Sequence, residues 1–231
     1  MPYDWSNLPD ALGFQWMAYG LMLPEFSREL ANIINRLTDD VPRLEVWSKV
    51  VAPLSEKDRM RANLEFIDPL ATVAVCRPSV IRSRFTFAAA HLCHQANRAK
   101  QGKAWRDDLP LDEEIYMDTA ERVGADWRKF GRLKLRLEKI NGAAFKKATH
   151  DFRNAYNHRF SPHFAVGMSQ IVTRKVDPTT NQVTYGFGII KPMDLGEVAR
   201  LLTVERDRCY AAFDAFQALV VEHEAVIAKT P

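Results

Sequence analysis

FGRLKLRLEKINGAAFKKATHDFRNAY, from Phe130 to Tyr156, is the stretch on which the fold turns. Phe130, Leu133, Leu137, Ile140, Ala144, Ala148, Phe152 and Tyr156 recur at steps of three or four, the spacing that stacks side chains on one helical face. The stripe predicts an amphipathic helical element of about seven turns. Asn141-Gly142 lies inside it, and both residues tolerate the left-handed conformation that ends helices. Because the stripe stays in phase across the dipeptide, a kink or tight reset is expected there, not a change of direction.

Toward the C-terminus the period changes from helical to alternating. Ile171, Thr173 and Lys175 alternate with Val172, Arg174 and Val176, a turn-like Asp177-Pro178-Thr179-Thr180-Asn181 follows, and Val183, Tyr185, Phe187 and Ile189 resume the pattern. This predicts a β-hairpin at approximately 169–191. A lone hairpin is marginal in water, so it should lie against the helices or a partner chain. Asp194, with Glu197 three residues on, forms a capping-box pattern opening a final helix through Leu202, Cys209, Phe213, Phe216, Val220 and Ile227.

Toward the N-terminus, Phe26, Leu30, Ile33, Ile34 and Leu37 predict an amphipathic helix that Pro42 and Pro53 should punctuate. A second helical run from about Glu56 to Val75 carries Pro69, which should kink or end it, and a third, Ser79 to Gln101, is Ala-rich and follows Pro78. The acidic, Pro-containing segment from Asp107 to Glu114 reads as a loop, with helix resuming near Asp112. No repeat or linker divides the chain. The expectation is therefore one domain over 1–231, mainly α, a helical bundle with a β-hairpin inserted before the C-terminal helix.

Composition narrows the function classes. With 231 residues, 47% hydrophobic and 26% charged, the chain is that of a globular protein with a real core, which excludes disorder and collagen-like repeats. The charge-free stretch Ala11–Pro24 is too short and too broken by Gly and Pro to span a bilayer, so no membrane association is expected. Asp4 and Asp10 precede it and no Lys or Arg occurs before Arg28, unlike a secretory signal, so the cytoplasm is the expected location. Cys76, Cys93 and Cys209, odd in number and widely spaced, read as reduced thiols without a disulfide or zinc role. No Gly-rich phosphate loop, H-E-x-x-H pair or G-x-S-x-G elbow occurs, which argues against nucleotide hydrolases, zincins and serine hydrolases.

The polar groups concentrate in Asp151-Phe152-Arg153-Asn154-Ala155-Tyr156-Asn157-His158-Arg159-Phe160. On a helix Arg153 stacks over Asn157 and Asn154 over His158, so Arg, Asn and His share one polar arc while Phe152 and Tyr156 point coreward. The trio suits phosphodiester chemistry, with a guanidinium for the phosphate, an amide for orientation and an imidazole to move a proton near neutral pH. Between Glu121 and Arg159 eleven Lys or Arg stand against four acids, a segment of +7 in a chain of +3, as an RNA-facing helix requires.

At Arg153-Asn154-x-x-x-His158 the sequence resembles the R-N-x-x-x-H form of the R-x(4 to 6)-H signature of HEPN domains. The resemblance implies a HEPN-like helical bundle carrying its motif near the end of a long helix, and a homodimer in which two motifs face one cleft. It also implies a metal-independent endoribonuclease, often a toxin or anti-phage defence protein, regulated by an antitoxin or accompanied by a nucleotidyltransferase. In that scheme Arg153 holds the scissile phosphate of the RNA, His158 is acid or base for attack by the 2′-hydroxyl, and Asn154 positions them. Lys146, Lys147, Asn157, Arg159 and His163 would bind RNA; no metal or cofactor takes part, and the products carry a 2′,3′-cyclic phosphate and a 5′-hydroxyl. A non-catalytic HEPN-like module that binds RNA, nucleotide or protein is the alternative, and a helical structural protein with an accidental motif is a third.

Plainer readings stand beside these. The trio could be a helix-terminal polar cluster in which Arg153 pairs with Asp151 or Asp126, and the basic run a solvated face. Arg84 and His91 also meet the loose signature, inside an apolar run that reads as core. His91-x-x-His94 has the spacing of a metal pair but lacks further ligands, which favours packed or capping histidines.

Overall fold

The computed structural model describes residues 1–3, 5–8 and 13–229. Asp4 and Asp10, and the first two residues of the charge-free stretch, lie outside the described residues. A 3-10 turn, Phe14–Trp16, leads into α1 (Met17–Val51); α2 (Glu56–Ala62) passes through a π-turn at Asn63–Ile67 into α3 (Asp68–Gln101). Then come α4 (Met117–Gly124), α5 (Phe130–Leu137), α6 (Ala143–Ala148), α7 (Phe152–His158), the strands β1 (Val172–Val176) and β2 (Val183–Phe187), and α8 (Leu195–Ile227). The molecule is mainly helical with an antiparallel hairpin before the C-terminal helix, as expected. No helix among the described residues is long and apolar enough to cross a membrane.

The chain forms two compact units, one of 1–37, 77–141 and 205–231, the other of 38–76 and 142–204. The first has an aromatic and aliphatic core in which Phe85 meets Phe213 and Phe216 edge-on, at centroid distances of 6.4 and 5.7 Å. A polar cluster is embedded in it. His223, fully buried, lies 3.0 Å from the Tyr19 hydroxyl through Nδ1 and 3.6 Å from Cys93 Sγ through Nε2, against the Trp127 ring. Burial pushes the His223 imidazole down to about 3 and the Cys93 thiol well up, so both are neutral near pH 7. In the second unit Trp47 stacks on Phe66 at 5.5 Å, and Phe152 meets Phe164 at 4.9 Å.

Prolines punctuate less than expected. Pro42 lies inside α1 and Pro78 inside α3, so the segments on either side of each are fused. Each costs one backbone hydrogen bond, which the packing of buried neighbours such as Val41, Leu44, Val75 and Ile81 outweighs. Pro69 does not end its helical run either: it follows the π-turn at Asn63–Ile67 by two residues, and the expected kink takes the form of that local widening.

The central run is the main correction: it forms three short helices, α5, α6 and α7, in place of one long element. Asn141 adopts φ 52°, and its N–H donates to Glu205 Oε2 at 2.7 Å. Arg208 donates to the other carboxylate oxygen at 2.5 Å and to the Lys139 carbonyl at 3.1 Å. A buried carboxylate far along the chain thus caps the break, and burial raises its pKa despite these partners. The stripe also slips by one position beyond it, because Phe145 and Thr149 face inward while Ala144 and Ala148 are exposed.

The hairpin forms where the alternation predicts it, in a register that sets Val172 opposite Phe187, Arg174 opposite Tyr185 and Val176 opposite Val183. Asp177 Oδ1 accepts the N–H groups of Thr179 and Thr180, both at 2.8 Å, to hold the turn. Within the chain the helices do not cover it: both strands are exposed along nearly their whole length, Phe187 to 86%. Asp194 Oδ1 accepts the Glu197 N–H at 2.8 Å and caps α8 as the sequence pattern predicts.

Candidate functional site

The site begins with the turn between α6 and α7. His150 and Asp151 are both left-handed, at φ 53° and 49°, and the Asp151 N–H donates back to the Lys146 carbonyl at 2.6 Å. Two consecutive left-handed residues without glycine cost on the order of 1–3 kcal/mol each, and such strain gathers where a structure must aim particular groups. Here it aims α7. Phe152 and Ala155 are buried and anchor one side of this short helix, which leaves Arg153, Asn154, Asn157 and His158 exposed on the other.

Arg153 makes no hydrogen bond or ion pair with any described residue; neither Asp151 nor Asp126 engages it. Its guanidinium instead acts through space on Cys76, whose thiol is pushed up by burial and drawn back down by the nearby positive charge. Asp151 Oδ2 accepts the Asn154 amide at 3.0 Å, which fixes that side chain one turn from His158. Arg159 leaves the helix in extended conformation, and its N–H donates to the Ala155 carbonyl at 2.7 Å.

Lys146, Lys147, Arg159 and His163 are exposed in the same unit. The His163 carbonyl accepts the Met193 N–H at 2.8 Å, which ties the loop after α7 to the start of α8. Tyr156 corrects the coreward expectation: it stacks on Phe152 at 5.9 Å yet is 55% exposed, and Phe160 is 85% exposed, so both present aromatic surface beside the trio. The basic run is no single element either. Arg122 pairs with Asp108 at 3.1 Å and Lys134 with Glu121 at 2.9 Å in the other unit, while Lys146, Lys147, Arg153 and Arg159 lie in the unit of the motif.

His150 carries no mark of its own in the sequence pattern. It lines a cavity of about 440 Å³ with Ala148, Ile190, Lys191, Asp194 and Glu197. A signal existed in its place directly before the Asp151–His158 polar stretch, but nothing in the sequence marks its left-handed backbone. His91 and His94 are partly or fully buried against carboxylates, His91 at 3.3 Å from Asp112 and His94 at 2.8 Å from Asp107, as packed histidines would be. Cys76, Cys93 and Cys209 are free thiols. No family model matches the chain, and neither a curated protein nor a solved structure is significantly similar to it.

Proposed function

We propose that the protein is a metal-independent endoribonuclease of HEPN type that acts in the cytoplasm, with Arg153, Asn154 and His158 as its working groups. The observation that carries this reading is the unpaired Arg153 guanidinium on the same exposed face as Asn154 and His158. A cation left without a carboxylate can give its full charge and both edges of its fork to a phosphodiester. Lys146, Lys147 and Arg159 add charge to the same unit, and exposed Tyr156 and Phe160 offer faces on which unpaired bases can stack.

Cleavage by the 2′-hydroxyl needs a base to take its proton and an acid to protonate the departing 5′-oxygen. One chain supplies one His158, so a homodimer that brings two copies of α7 to one RNA would supply both roles, with each Arg153 stabilising charge on the phosphorane. Toxicity or defence against phage follows if cellular RNA is cut, and an antitoxin or nucleotidyltransferase would then act by covering the basic surface. The test is RNA cleavage by purified protein in excess EDTA, wild type beside His158→Ala, with circular dichroism to show that both are folded. Cleavage lost only in the variant is expected. Binding without cleavage in either protein would leave the recognition-module reading, and neither binding nor cleavage would overturn both.

A further inference from the structure

The two faces of the hairpin differ in chemistry. Residues directly opposite each other in an antiparallel pair share a face, and alternate residues of a strand do too. Val172, Arg174, Val176, Val183, Tyr185 and Phe187 therefore stand on one face, and Thr173, Lys175, Thr184 and Gly186 on the other. The second face is polar, and its Thr173 and Gly186 are half-buried. The first is exposed at all six positions, its apolar members from 44% at Val183 to 86% at Phe187. Five apolar side chains gathered on one open sheet face are the kind of surface that marks an interaction site.

The root of the hairpin is built into the unit that carries α7. Ser169 and Ile190 exchange N–H···O bonds at 3.3 and 2.9 Å. Phe164, fully buried, bridges to Met193 and packs at 4.9 Å against Phe152, the first residue of α7. The strands thus extend from the same packed core that seats the Arg153 helix.

Charge and side-chain type indicate what covers the face. Arg174 stands at its centre, directly opposite Tyr185, and neither Arg174, Lys175 nor Lys191 has an ion-pair partner among the described residues. From Ser169 to Lys191 the sequence holds a single acid, Asp177, which lies in the turn with its Oδ1 taken by the N–H groups of Thr179 and Thr180. A second copy laid face to face would bring apolar contacts but no acid for Arg174. Tyr185 and Phe187, both more than half exposed, are alternate residues of one strand, about 6.8 Å apart. A sheet with aromatic rings so spaced and a guanidinium beside them can stack unpaired bases while the cation takes a phosphate. We propose that this face of the hairpin binds single-stranded RNA, with bases on Tyr185 and Phe187 and a phosphate on Arg174, as a second holding point in the unit of α7. The proposal rests on RNA as the ligand of the α7 site and extends it.

The test is anisotropy of a labelled 2′-O-methyl oligouridylate, which has no free 2′-hydroxyl with which to cut itself, titrated with the full chain. Tyr185→Leu with Phe187→Leu should weaken binding about tenfold or more, because leucine keeps the apolar surface but offers no ring to stack on. Arg174→Gln should cost more than Lys175→Gln, the same charge change on the opposite face. All four positions are exposed, so the variants keep the core, which circular dichroism checks. An affinity unchanged by the Leu pair, or equal losses from Arg174→Gln and Lys175→Gln, overturns the proposal; if sedimentation shows the Leu pair dissociating a dimer at unchanged RNA affinity, a second copy covers the face instead. Binding weakened by Arg153→Ala but by none of the hairpin variants overturns the proposal and leaves the α7 reading. Binding weakened by the hairpin variants, with no cleavage of ordinary RNA by the wild type, upholds the proposal and overturns the nuclease.

Discussion

Two stretches of this chain place an arginine ahead of a histidine at HEPN-like spacing, and their surroundings separate them. Arg84 on α3 is paired with Glu29 at 3.1 Å. His91, on the same helix, lies 3.3 Å from Asp112 with its ring against Phe87 at 4.3 Å. Both ends of that pair are engaged by the protein's own carboxylates. Arg153 and His158 on α7 are exposed without such partners among the described residues, behind a turn of two left-handed residues. Spacing alone does not distinguish the two; what each cation has left to give to a ligand does.

The largest expected effect follows from this contrast. His158→Ala should lower RNA cleavage by about 10²–10⁴-fold, the usual worth of a proton-transfer group, and His91→Ala should leave the rate of folded protein unchanged. A gel-based cleavage assay on both variants checks it, and equal losses would dissolve the distinction.

Acid should act on the unit that holds Arg84 and His91. Its histidines His91 and His223 are both held below their ordinary values by burial, His223 at about 3. The unfolded chain, titrating near 6.5, binds more protons below that pH, so the stability is fully present above 6.5 and is lost as pH falls toward 3. For His223 the loss amounts to about 2 kcal/mol at pH 5. Urea melts at pH 7 and 5 should show it; equal midpoints and slopes would mean that His223 is not held neutral in the core.

Arg153→Ala should weaken RNA binding by roughly tenfold or more at low salt, as expected for loss of a charge-assisted phosphate contact, with a shallower salt dependence. Arg84→Ala should change RNA affinity little and stability by no more than about 1 kcal/mol, since its ion pair is exposed. Anisotropy titrations of both variants against salt would expose an error in either half. The smallest effect concerns the turn: His150→Gly should stabilise the fold by about 1 kcal/mol, because glycine takes positive φ without the Cβ penalty. Destabilisation in thermal melts would mean that the His150 side chain contributes more than its backbone costs.

Much of this molecule is readable from local pattern. The alternation from Ile171 to Ile189 yields the hairpin, and Asp194 with Glu197 marks the start of α8. The Arg153, Asn154 and His158 face of α7 follows from helical spacing alone, since four-residue steps survive in a helix of only two turns. What escapes is what depends on distant partners. The run from Phe130 to Tyr156 breaks because Glu205 caps Asn141 from 64 positions away, and no local period records that bond. Pro42 and Pro78 continue their helices because packing outweighs a single missing donor. The bond from Asn154 to Asp151 and the proximity of Arg153 to Cys76 likewise depend on the left-handed turn and on α3.

The central claim is that the exposed Arg153–His158 pair directs attack by a 2′-hydroxyl on its own phosphodiester. The most direct measurement is end-group analysis of RNA fragments produced by the wild-type protein in EDTA. The account predicts 2′,3′-cyclic phosphate and 5′-hydroxyl ends, and no cleavage of an RNA whose target nucleotide is 2′-deoxy. Fragments with 3′-hydroxyl and 5′-phosphate ends, or cutting at the 2′-deoxy position, would contradict it.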